Sequence, residues 1–574
     1  MKRFSIFLLF LIVGCALNAQ DDYRNYVLSR TMLNGTGTSY LDNITYYDGL
    51  GRPFQTVQKA VQSGLPVNKN LATLQEYDAA GREWNSWLPT FAGSSDYLAP
   101  AGIKSSAPGN YDNDSRPYSQ PVYKASPLNR LTAQYGPGAD WYNAGRPVKT
   151  EYLLNTNASP LKCIKYGVSS TGGLTGNSTT FYTSGELSVV KTTDEDLNVS
   201  YSFTDKQGRT VLTRQMNNSE EHDTYYIYND KGNLCFVLQP KYQESSDLGK
   251  YAFRYEYDAR GRCTKKILPG ADFVEYTYND ADQLVYSQDG NQRAQATEKW
   301  TYYLYDKFGR LTEQGETESI ENHSVSELQL SNCYDGYGFL GTTGFDDIVY
   351  SINEADKKYG KGMLTGSSVA VPGSFSRIYT AYYYDAEGRM VKSVQNNLLD
   401  GFDVTETAYT FSGNPSVVTH VHSAADNDKL TETYIYSYDH NDRLAKVEHT
   451  LNGTKVTLAD YIYDDLGHLK QKNLHGLPLH RQEYKYNVRG LLTSISGNFF
   501  GESLYYHTGD NPVKCYNGNI SSVKSSFNGP PRERCYQFRY DGLNRLTDAH
   551  FSGSAYDPKF PAGNFAEHVT AYDK

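Results

Sequence analysis

Along most of the chain, aromatic and aliphatic residues recur at every second position. In "YAFRYEYD" Tyr255 and Tyr257 are two apart, and in "TETYIYSYD" so are Tyr434, Tyr436 and Tyr438. A period of two sets each group on one face of a β-strand. Each alternating stretch ends in one phrase: Tyr, Asp or Asn, two variable residues, Gly, then Arg or Asn. "YDGLGR" starts at Tyr47, "YDAAGR" at Tyr77, "YDARGR" at Tyr257, "YDKFGR" at Tyr305 and "YDAEGR" at Tyr384. A second alternating run follows, as in "GRLTEQGE" and "GRMVKSVQ".

The phrase has the chemistry of a tight turn. Asp at its first turn position can accept backbone N–H groups. Gly three residues on suits a type I turn followed by a left-handed residue, the bulged hairpin connection. Only Gly takes that conformation cheaply, with Asn next. The structural turn residues are therefore Asp48 and Gly51, Asp78 and Gly81, Asp258 and Gly261, Asp306 and Gly309, and Asp385 and Gly388. Tyr closes one strand and Arg opens the next, so each unit reads as a β-hairpin.

Drifted copies extend the series. Starts at positions 204, 228, 257, 278, 305, 334, 384, 409, 438, 463, 486 and 540 are mostly 21 to 29 residues apart. The two longer steps, from Tyr334 and from Tyr486, each leave room for one degenerate unit. "YNGN" at Tyr516 sits inside the second. A single hairpin is marginal in water, so the units are predicted to pair side by side into one long sheet.

Residues 20–150 differ. They hold two phrases and a stretch rich in Pro, Gly, Ser and Asp, with no strong amphipathic helix. They read as a small loop-rich β module, and residues 151–574 as the repeat array. Residues 1–19 have the form of a secretory leader: Lys2 and Arg3, an apolar run, then small residues. Cleavage after Ala19 would release a soluble chain. "IVGC" also has the form of a lipobox that would make Cys15 a lipid anchor. Both readings place the protein outside the cytoplasm, and the apolar run is too short for a membrane span. The chain stops at "AYDK", three residues into another phrase, which reads as a piece of a longer frame.

Composition supports an ordered β protein. There are 52 tyrosines in 574 residues, and aromatics reach 14%. Tyrosine suits a half-buried strand surface. The net charge of -10 is small, and its cations are dispersed, which argues against nucleic acid as a partner. Apart from Cys15, six cysteines remain, too sparse for a disulfide framework; Cys515 with Cys535 is the first pair to test.

Few residues suggest other chemistry. His420 and His422 share a strand face but lack a third ligand nearby. His468, His475 and His480 form a loose cluster. "YDNDS" (Tyr111 to Ser115) and "TTDEDLN" (Thr192 to Asn198) alternate oxygen ligands as calcium loops do, without the Gly and terminal Glu of an EF-hand. An active site needs one constellation, whereas the phrase Asp recurs in every unit. The sequence predicts no enzyme, no cofactor and no bound metal. Its tyrosine ladders have faces on which sugar rings stack.

The repeated Tyr-Asp-x-x-Gly-Arg resembles the YD repeat of Rhs-type proteins. "ITYYDGLGRPFQTV", "EYDAAGRE" and "ASPLNRLTAQYGPG" look like the module that precedes such repeats in secreted proteins of Bacteroidetes. The resemblance implies an all-β fold in which hairpin repeats form one continuous sheet that spirals into a hollow shell. It implies a wall around a C-terminal toxin cargo, although the family's core motif and toxin have no counterpart in this chain. The alternative is a cell-surface carbohydrate-binding or adhesion protein with a glycan partner.

Overall fold

A computed structural model describes residues 24–62, 69–93, 95–320, 325–345, 357–425, 427–509, 511–527, 534–553 and 565–572. The leader and Cys15 lie outside these residues. Among the described residues thirty-six strands join in one sheet, and two short strands, Gly167–Val168 and Leu174–Thr175, pair apart from it. Pairing is antiparallel and follows chain order. Asn25–Met32 pairs with Tyr40–Tyr47, which pairs with Pro53–Gln62. Far along, Thr454–Tyr463 pairs with Leu469–Leu474, which pairs with Arg481–Tyr486. The architecture is all-β: a long strip of hairpins, as the two-residue alternation implies. No helix among the described residues is long and apolar enough to cross a membrane.

The strip has two unlike faces. One carries the phrase tyrosines. The other is covered at three places, each of which builds a core. The helix Pro100–Asn110 buries Ile103 and Ala107, and Ile103 joins a core with Ile44, Val57, Ala72 and Leu74. The segment after the strand Val148–Leu154 covers Val189, Phe203, Leu212, Tyr225 and Leu238. A loop with Phe339 and Phe345 covers Ala381, Tyr383, Val394 and Val404. The helix falls within the Pro- and Gly-rich stretch that reads as loop. Pro100 suits its first turn, but only Ile103 and Ala107, four apart, are buried. Two apolar positions are too few to show a helical period.

The two long steps in the series have different causes. Between Tyr486 and Tyr540 a degenerate unit is present: Tyr506 takes the phrase-tyrosine place and Gly518 is left-handed at φ 101°. Among the described residues the step after Tyr334 holds no extra unit, where the spacing left room for one: Val325–Tyr334 pairs directly with Leu364–Ala370, which pairs with Arg377–Tyr384. There the turn itself is split by an insertion. The Asp335 N–H donates to the Met363 carbonyl, and the Gly362 N–H donates to the Asp335 carboxylate at 2.7 Å. The strands Val325–Tyr334 and Leu364–Ala370 still pair, with Tyr334 opposite Leu364.

The strip also returns to itself. Lys69 Nζ lies 2.8 Å from Asp465, and Arg489 Nη1 lies 3.0 Å from Glu195. These partners are 396 and 294 residues apart in sequence, so one circuit takes a chain length within that range. The phrase turns line one long edge of the strip. In the seam between circuits, the phrase edge of the later circuit meets the opposite edge of the earlier one.

Candidate functional site

The phrase residues converge on one repeated geometry. In the five exact copies, the Asp Oδ1 accepts two backbone N–H groups, from the residues two and four positions on. At Asp48 these come from Leu50 and Arg52 at 2.9 and 3.0 Å. Asp78, Asp258, Asp306 and Asp385 repeat the pair at 2.8 to 3.0 Å. Gly51, Gly81, Gly261, Gly309 and Gly388 stand at φ 77°, 79°, 81°, 79° and 80°, the left-handed region that a side chain disfavours. Drifted turns put Asp282, Asp442 and Asn544 there, at φ 61°, 61° and 62°.

The arginine does more than open a strand. Its Nε donates to Oδ2 of its own Asp, at 2.8 Å from Arg52 to Asp48 and 2.6 Å from Arg262 to Asp258. Its guanidinium then lies over the phrase tyrosine of the next unit. Arg52 sits 4.3 Å from the Tyr77 ring centre, Arg310 4.4 Å from Tyr334, and Arg443 4.4 Å from Tyr463. The hydroxyl of the next unit's tyrosine donates back to the carbonyl of the residue after the sixth phrase position, whether that position holds Arg, as at Arg52, Arg209 and Arg443, or another residue, as at Asn233. Tyr77 reaches Pro53 at 2.7 Å, Tyr228 Thr210 at 3.1 Å, Tyr257 Leu234 at 2.8 Å, and Tyr463 Leu444 at 2.9 Å. Tyr384, Tyr409, Tyr438, Tyr486 and Tyr540 repeat this. The phrase is a buckle that closes its own turn and grips the following unit.

The buckle depresses its carboxylates. Asp48 and Asp258 are held below the usual carboxylate range, first by the backbone N–H of Arg52 and of Arg262 and then by the same guanidinium. Asp335, bridged by Arg310 and by the Gly362 N–H, is lowered to about 2.

Two segments with apparent ligand chemistry belong to turns. In "TTDEDLN" the Asp194 Oδ1 accepts the N–H groups of Asp196 and Asn198 at 2.9 and 2.8 Å. Leu197 fills the glycine place at φ 71°. This is the phrase turn without its Tyr and Gly, on the opposite edge of the strip. His468 occupies the sixth phrase position. Its Nδ1 lies 3.2 Å from Asp464, and its ring stacks on Tyr486 at 4.9 Å, as an arginine would. His475 and His480 lie at the other edge, where His480 packs on Phe499. His420 bonds Thr405 at 3.0 Å and His422 bonds Asp403 at 2.5 Å. In "YDNDS" the Asp114 carboxylate accepts the N–H of Arg116 and of Ala139. Among the described residues no three His, Cys, Asp or Glu side chains are placed to hold a metal ion. The six cysteines from Cys163 to Cys535 are free thiols, with Cys515 buried.

The seam is the second element of the site, and on the later circuit it is built largely by the variable phrase positions. Arg489, in "YNVRGL", donates Nε to the Pro137 carbonyl at 2.9 Å, pairs with Glu195, and lies 4.2 Å from the Trp141 ring. Leu466 and Val488 face Leu88, Pro89 and Pro137 across a cleft of about 410 Å³. The Asp196 carboxylate accepts the Tyr516 N–H at 2.7 Å, and burial holds it above the usual carboxylate range. Asn544 Oδ1 accepts amides from Asn198, Asn517 and Asn519. The Gly542 N–H donates to Asn217 at 3.1 Å.

Fold and site together define a strip of buckled β-hairpins, wound round and joined to itself along an edge. Residues 20–154 match a family described as a domain of unknown function, DUF6443. The chain is 26% identical over 349 residues to salivary gland surface protein 1 of Aedes aegypti, a match that takes in 55% of this chain. The chain spans 10% of the length of that curated relative. Among solved structures it is similar to the Photorhabdus luminescens Tc holotoxin pore, at 14% identity and a TM-score of 0.44, over 95% of this chain and 26% of that one. It is also similar to the crystal structure of TcdB2-TccC3, at 13% identity and a TM-score of 0.43, over 95% of this chain and 27% of that one.

Two outcomes follow from this geometry. Leu197→Gly relieves a left-handed leucine whose side chain is 56% exposed. It should stabilise the fold by ~0.5–1 kcal/mol, read as a higher urea midpoint; an unchanged or lower midpoint contradicts the assignment. Asp335 has a folded pKa below its unfolded one, so its contribution is present above the unfolded value and is lost as pH falls through the folded one. The stability gap between wild type and Asp335→Asn should therefore close as pH falls from 3.8 to about 2. A gap independent of pH in urea titrations counts against the buckle's electrostatics.

Proposed function

We propose that the chain is the wall of an exported Rhs/YD-repeat-like shell of the Bacteroidetes type, which encloses or presents a C-terminal cargo such as a toxin. The supporting observation is the seam. A flat array of hairpins needs no contact between residues some hundreds apart, whereas a wall around a space must close on itself. Arg489 with Glu195 and Asp196 with the Tyr516 N–H are contacts of that kind. In this reading residues 1–19 export the chain, with Cys15 as its lipid anchor if the lipobox is used. The phrase residues, Asp48 and Gly51 among them, are structural and not catalytic, since their carboxylates close turns. The mosquito relative is named as a surface protein, which agrees with a place outside the cytoplasm.

One observation favours a second reading, a cell-surface carbohydrate-binding or adhesion protein. Tyr436, Tyr461 and Tyr484 stand two residues before their phrase tyrosines and are half-buried. Such rings present π-faces on which a sugar ring packs.

The test fuses a folded reporter after Lys574 of the full chain. The reporter should resist protease in wild type and be digested in Arg489→Ala, which leaves Glu195 unpaired in the seam. Equal digestion in both contradicts enclosure. A glycan array with the wild-type chain addresses the second reading, which fails if binding does not exceed that of a tyrosine-poor protein of equal charge.

A further inference from the structure

Two histidines stand outside both the buckle and the seam. His420 and His422 alternate along the strand Pro415–Ala424, so they share one face of the strip. It is the face of the phrase tyrosines, because His420 is opposite Thr405 on one neighbouring strand, Phe402–Tyr409, and opposite Glu432 on the other, Asn427–Tyr438. His422 is opposite Asp403. His420 with Thr405 and His422 with Asp403 are two rungs of one ladder, closed in the same way. His420 Nδ1 lies 3.0 Å from the Thr405 hydroxyl, and His422 Nδ1 lies 2.5 Å from Asp403 Oδ1.

The engaged nitrogen of each ring decides what the other can do. An ionised carboxylate only accepts, so His422 Nδ1 carries the proton and the neutral ring presents a bare lone pair at Nε2. The Thr405 hydroxyl can accept as well, which gives His420 the same tautomer. Neither Nε2 has a partner among the described residues, and neither is sealed from water. A carboxylate or other acceptor on the far nitrogen is the outer support by which metal-binding histidines are oriented.

The spacing fits one ion. Alternate residues on a strand face stand about 6.6–6.8 Å apart. Two nitrogens on one zinc or copper ion, bound at about 2.0–2.1 Å, sit about 3 Å apart, so each ring leans inward by about 2 Å. Asp403 and Glu432 flank the pair, one on each neighbouring strand, and their charge favours a cation between them. Glu432 Oε2 is engaged by His449 at 3.1 Å and by the Tyr434 hydroxyl at 3.2 Å. The protein therefore supplies two ligands, one fewer than the sets of three that the described residues lack, and water completes the shell.

We propose that His420 and His422 bind one divalent transition-metal ion through their Nε2 atoms, with Asp403 and Thr405 as positioning residues. Imidazole suits copper(II), zinc(II) and nickel(II), and among these a given site holds copper(II) most tightly.

Copper(II) titration of the tag-free full chain tests this, read by calorimetry and electron paramagnetic resonance, with circular dichroism to confirm strand content. The tightest ion on wild type should show two nitrogen ligands. His420→Ala and His422→Ala should each weaken its binding at least tenfold and leave one nitrogen. His449→Ala keeps the pair and should bind as wild type does. Asp403→Asn keeps both ligands, so it should retain the two-nitrogen spectrum while binding about tenfold more weakly. Tight binding that survives in the His420→Ala, His422→Ala double variant overturns the proposal. So does a wild-type spectrum without nitrogen ligands, or loss of the tight ion on replacing His475 and His480, the pair whose rings lie 5.6 Å apart. An Asp403→Asn affinity equal to wild type overturns the positioning role.

Discussion

The structure depends on one contact repeated between neighbouring hairpins: a tyrosine hydroxyl donating to the carbonyl just past the arginine of the preceding unit, with that guanidinium over the tyrosine ring. The hydrogen bond contributes about 1 kcal/mol net, and the cation over the ring about 0.5–1 kcal/mol at a partly exposed site. A lone hairpin cannot hold itself in water. Here each turn is tied to the next, so stability accumulates between neighbours along the strip, as in other linear repeat arrays. The apolar cores under the helix Pro100–Asn110 and under the two covering segments reinforce particular places. The buckle runs along the strip even where an insertion splits the turn, as at Asp335 and Gly362.

The buckle also accounts for the seam. Tyr, Asp, Gly and Arg are committed to closing the turn and gripping the neighbour. That leaves two residues per phrase free at the tip. In the later circuit those residues make the long-range contacts: Phe411, Asp465, Leu466, Val488, Arg489 and Gly542. The constant residues build the strip, and the variable ones do most of the joining of its circuits, with Asn544 adding a contact to Asn198 from the glycine place of its turn.

Much of this was legible in the chain itself. Two-residue alternation and the Asp and Gly spacing imply hairpins with bulged turns, and their repetition implies a single strip. The arginine's second role was not legible, because its partner lies a full unit away. The signal was present in retrospect: Arg443 precedes Tyr463, and when the arginine becomes His468 an aromatic-compatible ring replaces it over Tyr486. The turn at Asp194 was hidden by Leu197 in the glycine place and resembled a calcium loop. The split turn at Asp335 was hidden by its insertion. The seam residues occupy positions that vary from unit to unit, so sequence alone gives them no pattern.

The most direct test of the buckle is a double-mutant cycle on Arg443 and Tyr463, using Arg443→Met and Tyr463→Leu. It would be read as the opening free energy of the hairpin formed by Thr454–Tyr463 and Leu469–Leu474 in native-state hydrogen exchange. A buckle between units predicts coupling of about 1 kcal/mol between the two substitutions. Additivity within about 0.3 kcal/mol would show that the two residues act separately and that the units are held together by strand pairing alone.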